Sequence, residues 1–198
     1  MEQSLSVFVV LVLAVFCKEQ DWETPDFCQG KQCPKYKLVD KIQNFEERLI
    51  VATDWITTKI VSPTSDDMLA AHNKLKDYCQ KQREAGYEIP DNTWPALITV
   101  TEGDSGLNLS LSWFLPPDTR KPAYNDPAVT LQTIPESTFY VRVYGGTPSI
   151  ESAQDNVEVL REDLVKDGKT FTSKMYMVAL YDSFFALSHH NEVLICSA

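Results

Sequence analysis

The chain has 198 residues, 43% hydrophobic and 23% charged, with 28 acidic against 18 basic side chains and a formal net charge of −10. That apolar share is enough for one ordinary core and excludes a disordered chain. The acidic excess, with no basic patch to offset it, excludes nucleic acid and anionic lipid as partners.

Val7 to Phe16 is an unbroken apolar run, too short to span a bilayer as a helix and suited to a secretory signal peptide. The expectation is a signal peptide over 1–17, cut after Val15-Phe16-Cys17, and an extracellular mature chain with no stable membrane insertion. Residues 18–33 read as an N-terminal extension, because polar Lys18 to Asp26 shows no sheet pattern. Strand-like segments follow around Tyr36, Asn44–Leu49 and Trp55–Thr58.

A first helix is predicted from Ser65, with Thr64 and Asp67 spaced as a capping box. Its apolar stripe comprises Met68, Ala71, His72, Leu75, Tyr78 and Cys79, and Gly86 ends it. Strands Leu97–Thr101 and Leu107–Leu115 flank a Gly103-Asp-Ser-Gly106 turn. Pro116 and Pro117 stop the second of these, and 116–127 reads as an exposed link. Val129–Ile134 alternates, Pro135-Glu-Ser turns the chain, and Thr138–Tyr144 alternates again before Gly145-Gly146. A second helix, Ser149 to Gly168, buries Ile150, Ala153, Val157, Leu160 and Leu164. Strands Lys174–Tyr181 and Glu192–Cys196 close the chain. Two runs of strand, strand, helix, strand, strand predict an antiparallel sheet with helices packed on it.

Loss of Cys17 with the signal leaves Cys28, Cys33, Cys79 and Cys196, an even number in an oxidising compartment. Three pairings exist. Cys28 and Cys33 bracket a short turn and are expected to bridge, which leaves Cys79 for Cys196. Asn108-Leu-Ser110 is a glycosylation sequon that a secreted chain would expose.

Catalytic signatures are missing. There is no Gly-x-Ser-x-Gly elbow, phosphate loop, dinucleotide fingerprint or calcium loop, and His189 and His190 point to opposite faces if they lie on a strand. An enzyme is therefore not expected.

Several segments resemble the SOUL haem-binding family. They are Phe114-Leu-Pro-Pro with its proline-rich link, Tyr140-Val-Arg-Val-Tyr-Gly-Gly146, and the closing Asn191-Glu-Val-Leu194, which lacks the family's Trp. Tyr36, Asn44-Phe-Glu-Glu-Arg-Leu49 and Trp55-Ile-Thr-Thr58 resemble its opening strands. One departure is Trp94-Pro-Ala-Leu-Ile98, where the family has Met-Thr-x-Pro-Val. The resemblance spans about 34–196 and implies one domain over 34–198. Its fold would be α+β, a distorted antiparallel barrel with two helices, built from two halves related by a pseudo-twofold.

The resemblance also implies a non-covalent haem or free porphyrin, held in an apolar cleft between the first helix and the 181–187 loop. His72 is then the candidate iron ligand, with Met68, Leu75, Tyr181, Phe184 and Phe185 as walls, and Lys74, Lys76 or His190 are candidates to meet the propionates. A lone histidine among apolar residues is more often structural, and both phenylalanines are as readily read as a plug of the barrel end. The alternative function is a secreted interaction module that keeps the fold, binds no haem and uses Phe184 and Phe185 to contact an unknown protein.

Overall fold

The computed structural model describes residues 22–198 apart from 91, 105, 121–125 and 184–185. The expected signal peptide, Phe184 and Phe185 lie outside the described residues. Nine strands and two helices follow in order: β1 (Tyr36–Lys41), β2 (Glu46–Ile50), β3 (Thr53–Ile60), α1 (Ser65–Glu84), β4 (Ala96–Gly103), β5 (Gly106–Leu115), β6 (Thr130–Ile134), β7 (Ser137–Tyr144), α2 (Ile150–Lys166), β8 (Met175–Leu180) and β9 (Asn191–Cys196). All pairings between them are antiparallel, in one sheet of order β1-β2-β7-β9-β8-β4-β5-β3-β6. The α+β class and the curled antiparallel sheet carrying two helices agree with the expectation. From the central β8–β4 pair outward, the order reads β9, β7, β2, β1 on one side and β5, β3, β6 on the other, so the first half lends β1 and β2 to the edge beside β7 and the second lends β6 to the edge beside β3.

One local expectation fails. Pro135-Glu-Ser does not make a hairpin, because β6 pairs with β3 while β7 pairs with β2 and β9. Residues 46–60 and 130–144 instead run as two long strands, each bent where β2 passes into β3 and β6 into β7. They pair with each other on both sides of the bend, Ile50 opposite Ser137 and Thr53 opposite Ile134. Pro135, unable to donate to a ladder, sits at the bend. This shared pair of bent strands curls the sheet towards a barrel.

Strand alternation gives the sheet two apolar faces. One is covered by the helices: α1 lies on β3 and β5, α2 on β7 and β9. Ile56, Ile98, Val178, Val193 and Ile195 face them and meet Leu75, Val157, Leu160 and Leu164. The inner, concave face gathers Trp55, Leu97, Phe114, Phe139, Met177, Tyr181 and Leu194. The helices start where their caps direct. The Thr64 hydroxyl accepts from the Asp67 backbone N–H at 3.3 Å, and Ser149 and Ser152 cap α2 reciprocally. Gly86 (φ +82°) and Gly168 (φ +66°) take the left-handed conformation just beyond the two helix ends.

Cys28 and Cys33 form a disulfide, tying a one-turn helix at Asp26–Cys28 into the start of the domain. The expected Cys79–Cys196 bridge does not form. Cys79 is buried beneath α1 on the helix-covered face, whereas Cys196 packs on the inner face, so the sheet itself separates the two thiols.

Candidate functional site

On the helix side, the ends of β5, β4, β8, β9 and β7 form a single row. Trp113 pairs with Ala96, Ala96 with Leu180, Leu180 with Asn191, and Asn191 with Tyr144. Trp113, Ala96, Leu180 and Tyr144 are only partly buried. They lie at the end of the sheet where the 181–190 loop leaves β8. His72, exposed on α1, meets this row with its ring edge-on to Trp113, centroids 5.1 Å apart. Partial loss of water around the imidazole, then the Lys76 charge one turn on, lower its pKa, so the neutral form that can ligate a metal is favoured. Met68, one turn earlier, is half-buried on the same stripe.

The sequence-derived residues divide between the two faces. His72 and Met68 stand together beside the row. Leu75 is fully buried beneath α1, where it supports the helix from below. Tyr181 is on the inner face, because it follows Leu180 on an alternating strand, so it is not brought to His72. Asn108, on the exposed start of β5, is accessible as a sequon asparagine must be.

The inner face holds charge that the sequence reading passed over. Glu192 has no exposure and Arg48 has 3%. Arg48 Nη1 donates to both Glu192 oxygens at 3.0 and 3.1 Å, and its Nε donates to Glu46 at 2.8 Å. The Tyr181 hydroxyl donates to Glu192 Oε2 at 3.1 Å, and His190 Nε2 lies 2.9 Å from Oε1. The guanidinium sits 4.4 Å from the Tyr36 ring centre. Burial works against the Arg48 charge, but Glu192 and Glu46 outweigh it and hold the group protonated. Burial, then the Glu192 charge, push the Tyr181 hydroxyl well above its usual range, so it serves as a fixed donor. The signal was present in the sequence: Glu192 shares a strand face with Leu194, and Arg48 with Ile50. Charges at positions of apolar period mark either an exposed face or a buried pair, and only the fold decides which.

These charged side chains border a cavity of about 40 Å³, whose other walls include Trp55, Leu97, Phe139 and Met177. The 22–35 segment covers this side of the molecule. Phe27 stacks on His190 at 4.2 Å with 6° between the rings, and meets Tyr181 edge-on at 4.8 Å. Gln29 Nε2 donates to the Tyr181 carbonyl at 3.0 Å, and the Trp94 backbone N–H donates to the Gln32 carbonyl at 2.9 Å.

A curled antiparallel sheet with two helices on one face and a buried polar centre on the other defines an α+β class of fold, which does not by itself fix a function. Residues 31–196 match the model of the SOUL heme-binding protein family, and the chain belongs to that family. It is 28% identical over 178 residues to the mouse (Mus musculus) protein named Heme-binding protein 2, covering 83% of this chain and 85% of that one. The human (Homo sapiens) protein of the same name is 28% identical over 159 residues, 76% of each chain. Among solved structures, a protein from Listeria innocua described as a hydrolase superposes with a TM-score of 0.57 at 10% identity, covering 81% of this chain and 94% of that one. The C-terminal domain of EcmrR gives 0.53 at 10% identity, covering 82% and 98%. Both likenesses concern the fold alone.

Proposed function

We propose that the chain is a secreted, non-enzymatic protein that holds one haem or free porphyrin non-covalently against the helix-covered face. Membership of the SOUL family over 31–196 is the observation that carries this reading, and the geometry around His72 fits it. A flat macrocycle needs a broad, half-open apolar strip, which the row from Trp113 to Leu180 provides beside α1. Adjacent strands lie about 4.8 Å apart, so these three strands span roughly 10 Å. The inner cavity, at about 40 Å³, has no room for a macrocycle as it stands. Haem, when bound, would supply an iron that a neutral nitrogen donor can ligate. His72 would be the imidazole on the strip, Met68 and Trp113 apolar wall, and Lys76, whose charge the imidazole feels, a cation for a propionate.

The test is titration with haemin, read by a saturable shift of the Soret band at one equivalent. His72→Ala should blue-shift or broaden that band if imidazole holds the iron. Weaker binding with an unchanged spectrum would assign the affinity to the apolar strip. No saturable binding in the unaltered protein would overturn the reading in favour of an interaction module. Secretion through a signal peptide over 1–17, with glycan on Asn108, belongs to the same proposal. It is checked by N-terminal sequencing from a eukaryotic host, expected to begin near Lys18, and by a mass shift on glycosidase treatment. An intact Met1 on cytosolic protein would defeat it.

A further inference from the structure

The inner face carries a second cleft, and we propose that it is a binding site for a small, uncharged, planar aromatic molecule bearing one hydrogen-bonding group, with the ring of Phe27 as its built-in occupant. This site lies across the sheet from the tetrapyrrole strip and rests on no part of that reading.

The charge of the ligand follows from the balance already buried there. Arg48 and Glu192, both almost wholly buried, are one cation against one carboxylate, while Glu46, partly exposed, is met from the solvent side by the exposed Lys41. A charged newcomer would be left without a partner in a poorly solvated cleft, where an unpaired ion is costly. An uncharged one is not.

Its polar group follows from what Arg48 has left. Three of the five guanidinium N–H directions are taken, one from Nε and one from Nη2 by Glu46, and one from Nη1 shared between the two Glu192 oxygens. The second N–H of Nη2 suits a hydroxyl or carbonyl oxygen, and Tyr36 and Thr53 add hydroxyls to the same wall.

The planar shape follows from Phe27. Its seat has His190 stacked on one face, Tyr181 at an edge and the Arg48 guanidinium 5.9 Å from the ring centre. Such a seat suits any flat π-system. The adjoining cavity, walled in part by Tyr181 and Arg48 that Phe27 touches, has room for a water or two and no aromatic ring, so a ligand ring needs the Phe27 seat as well. Phe27 and a ligand ring therefore exclude each other. Displacing Phe27 breaks no strand ladder, since its segment joins the sheet side through Gln29 on Tyr181 and Asp182, an isolated bridge of Gln32 with Thr93 beside its bond to Trp94, and Lys31 over the Trp94 ring. The Cys28–Cys33 bridge, with Cys28 fully buried, holds that segment in place.

The experiment uses 2-naphthol as probe, followed by isothermal titration and by quenching of tryptophan fluorescence, since Trp55 lines the cleft. Phe27→Ala should bind one equivalent at least tenfold more tightly than the unaltered protein, while its haemin titration stays unchanged. A Cys28→Ser/Cys33→Ser variant, which frees the segment without removing the ring, should also gain affinity, by a smaller factor. It serves as the test if Phe27→Ala fails to fold. Naphthoate and naphthylammonium ions should bind at least tenfold more weakly than the neutral probe. The proposal is overturned if neither variant gains affinity over the unaltered protein, or if the ions bind as well as 2-naphthol.

Discussion

Arg48 and Glu192 form the pair whose loss the molecule should feel most. Arg48→Met leaves Glu192 a buried carboxylate facing only Tyr181 and His190, and should cost about 3–5 kcal/mol, read by urea unfolding. Arg48→Met combined with Glu192→Leu removes both charges and should cost much less than the two single changes added together. Strict additivity would mean the two side chains are not coupled. Glu46 carries a pH signature of its own. Although burial opposes its ionisation, its bond to Arg48 prevails and holds its pKa below 4.5. The folded protein thus ionises more readily there than the unfolded one. The contribution of Glu46 is complete above about pH 4.5 and is lost as pH falls through the lower folded value. Arg48→Met should flatten that acid limb in a series of melts across pH. Neither residue's role was legible in the sequence. The segments Glu46-Glu-Arg-Leu49 and Asn191-Glu-Val-Leu194 were visible as strands, but the meeting of Arg48 with Glu192 depends on β7 standing between β2 and β9.

The two helices were legible almost to the residue, because cap, apolar spacing and terminal glycine agree at each end. The strands were legible too, as alternation. What alternation does not carry is the partner of each strand, which is why β6 and β7 looked like a hairpin. The same gap explains the cysteines. Cys79 and Cys196 read as the remaining pair only while the sheet between them was unknown. The denatured, unreduced mature protein should accordingly take up two equivalents of alkylating agent, at Cys79 and Cys196, in peptide mapping. Four labelled cysteines would refute the Cys28–Cys33 bridge, and none would restore the second one. In the native state Cys196 should label slowly at neutral pH, since burial, only partly offset by a bond to Ser137, raises its thiol pKa.

For the molecule as a whole, the antiparallel sheet with packed helices followed from pattern, whereas closure towards a barrel came only through the resemblance to the SOUL family. The candidate tetrapyrrole strip was legible in part. His72 and Met68 stood out as an interrupted helical stripe, but the rest of the surface is a row across three strands, Trp113, Ala96 and Leu180, that no window of sequence contains. The inner cleft was not legible at all, since the 18–33 extension gave no sign that its Phe27 and Cys28 pack inside the fold.

The two bent strands have a consequence for the order in which the chain acquires its structure. Residues 46–50 have only β1 and β7 as neighbours, and β7 lies beyond the 116–127 link. While the first half alone has emerged from a ribosome, β4 and β5 can zip as a local hairpin and β3 can join β5 across α1, but β2 waits with one side open. Such distant pairings are slow to form. Pulse-labelled hydrogen exchange during refolding should therefore protect the β4–β5 hairpin well before Arg48 and Leu49. Simultaneous protection of both would contradict this order. Until that late step the open strand edge is exposed to other nascent copies, so a fragment ending near residue 120 should aggregate where the full chain does not.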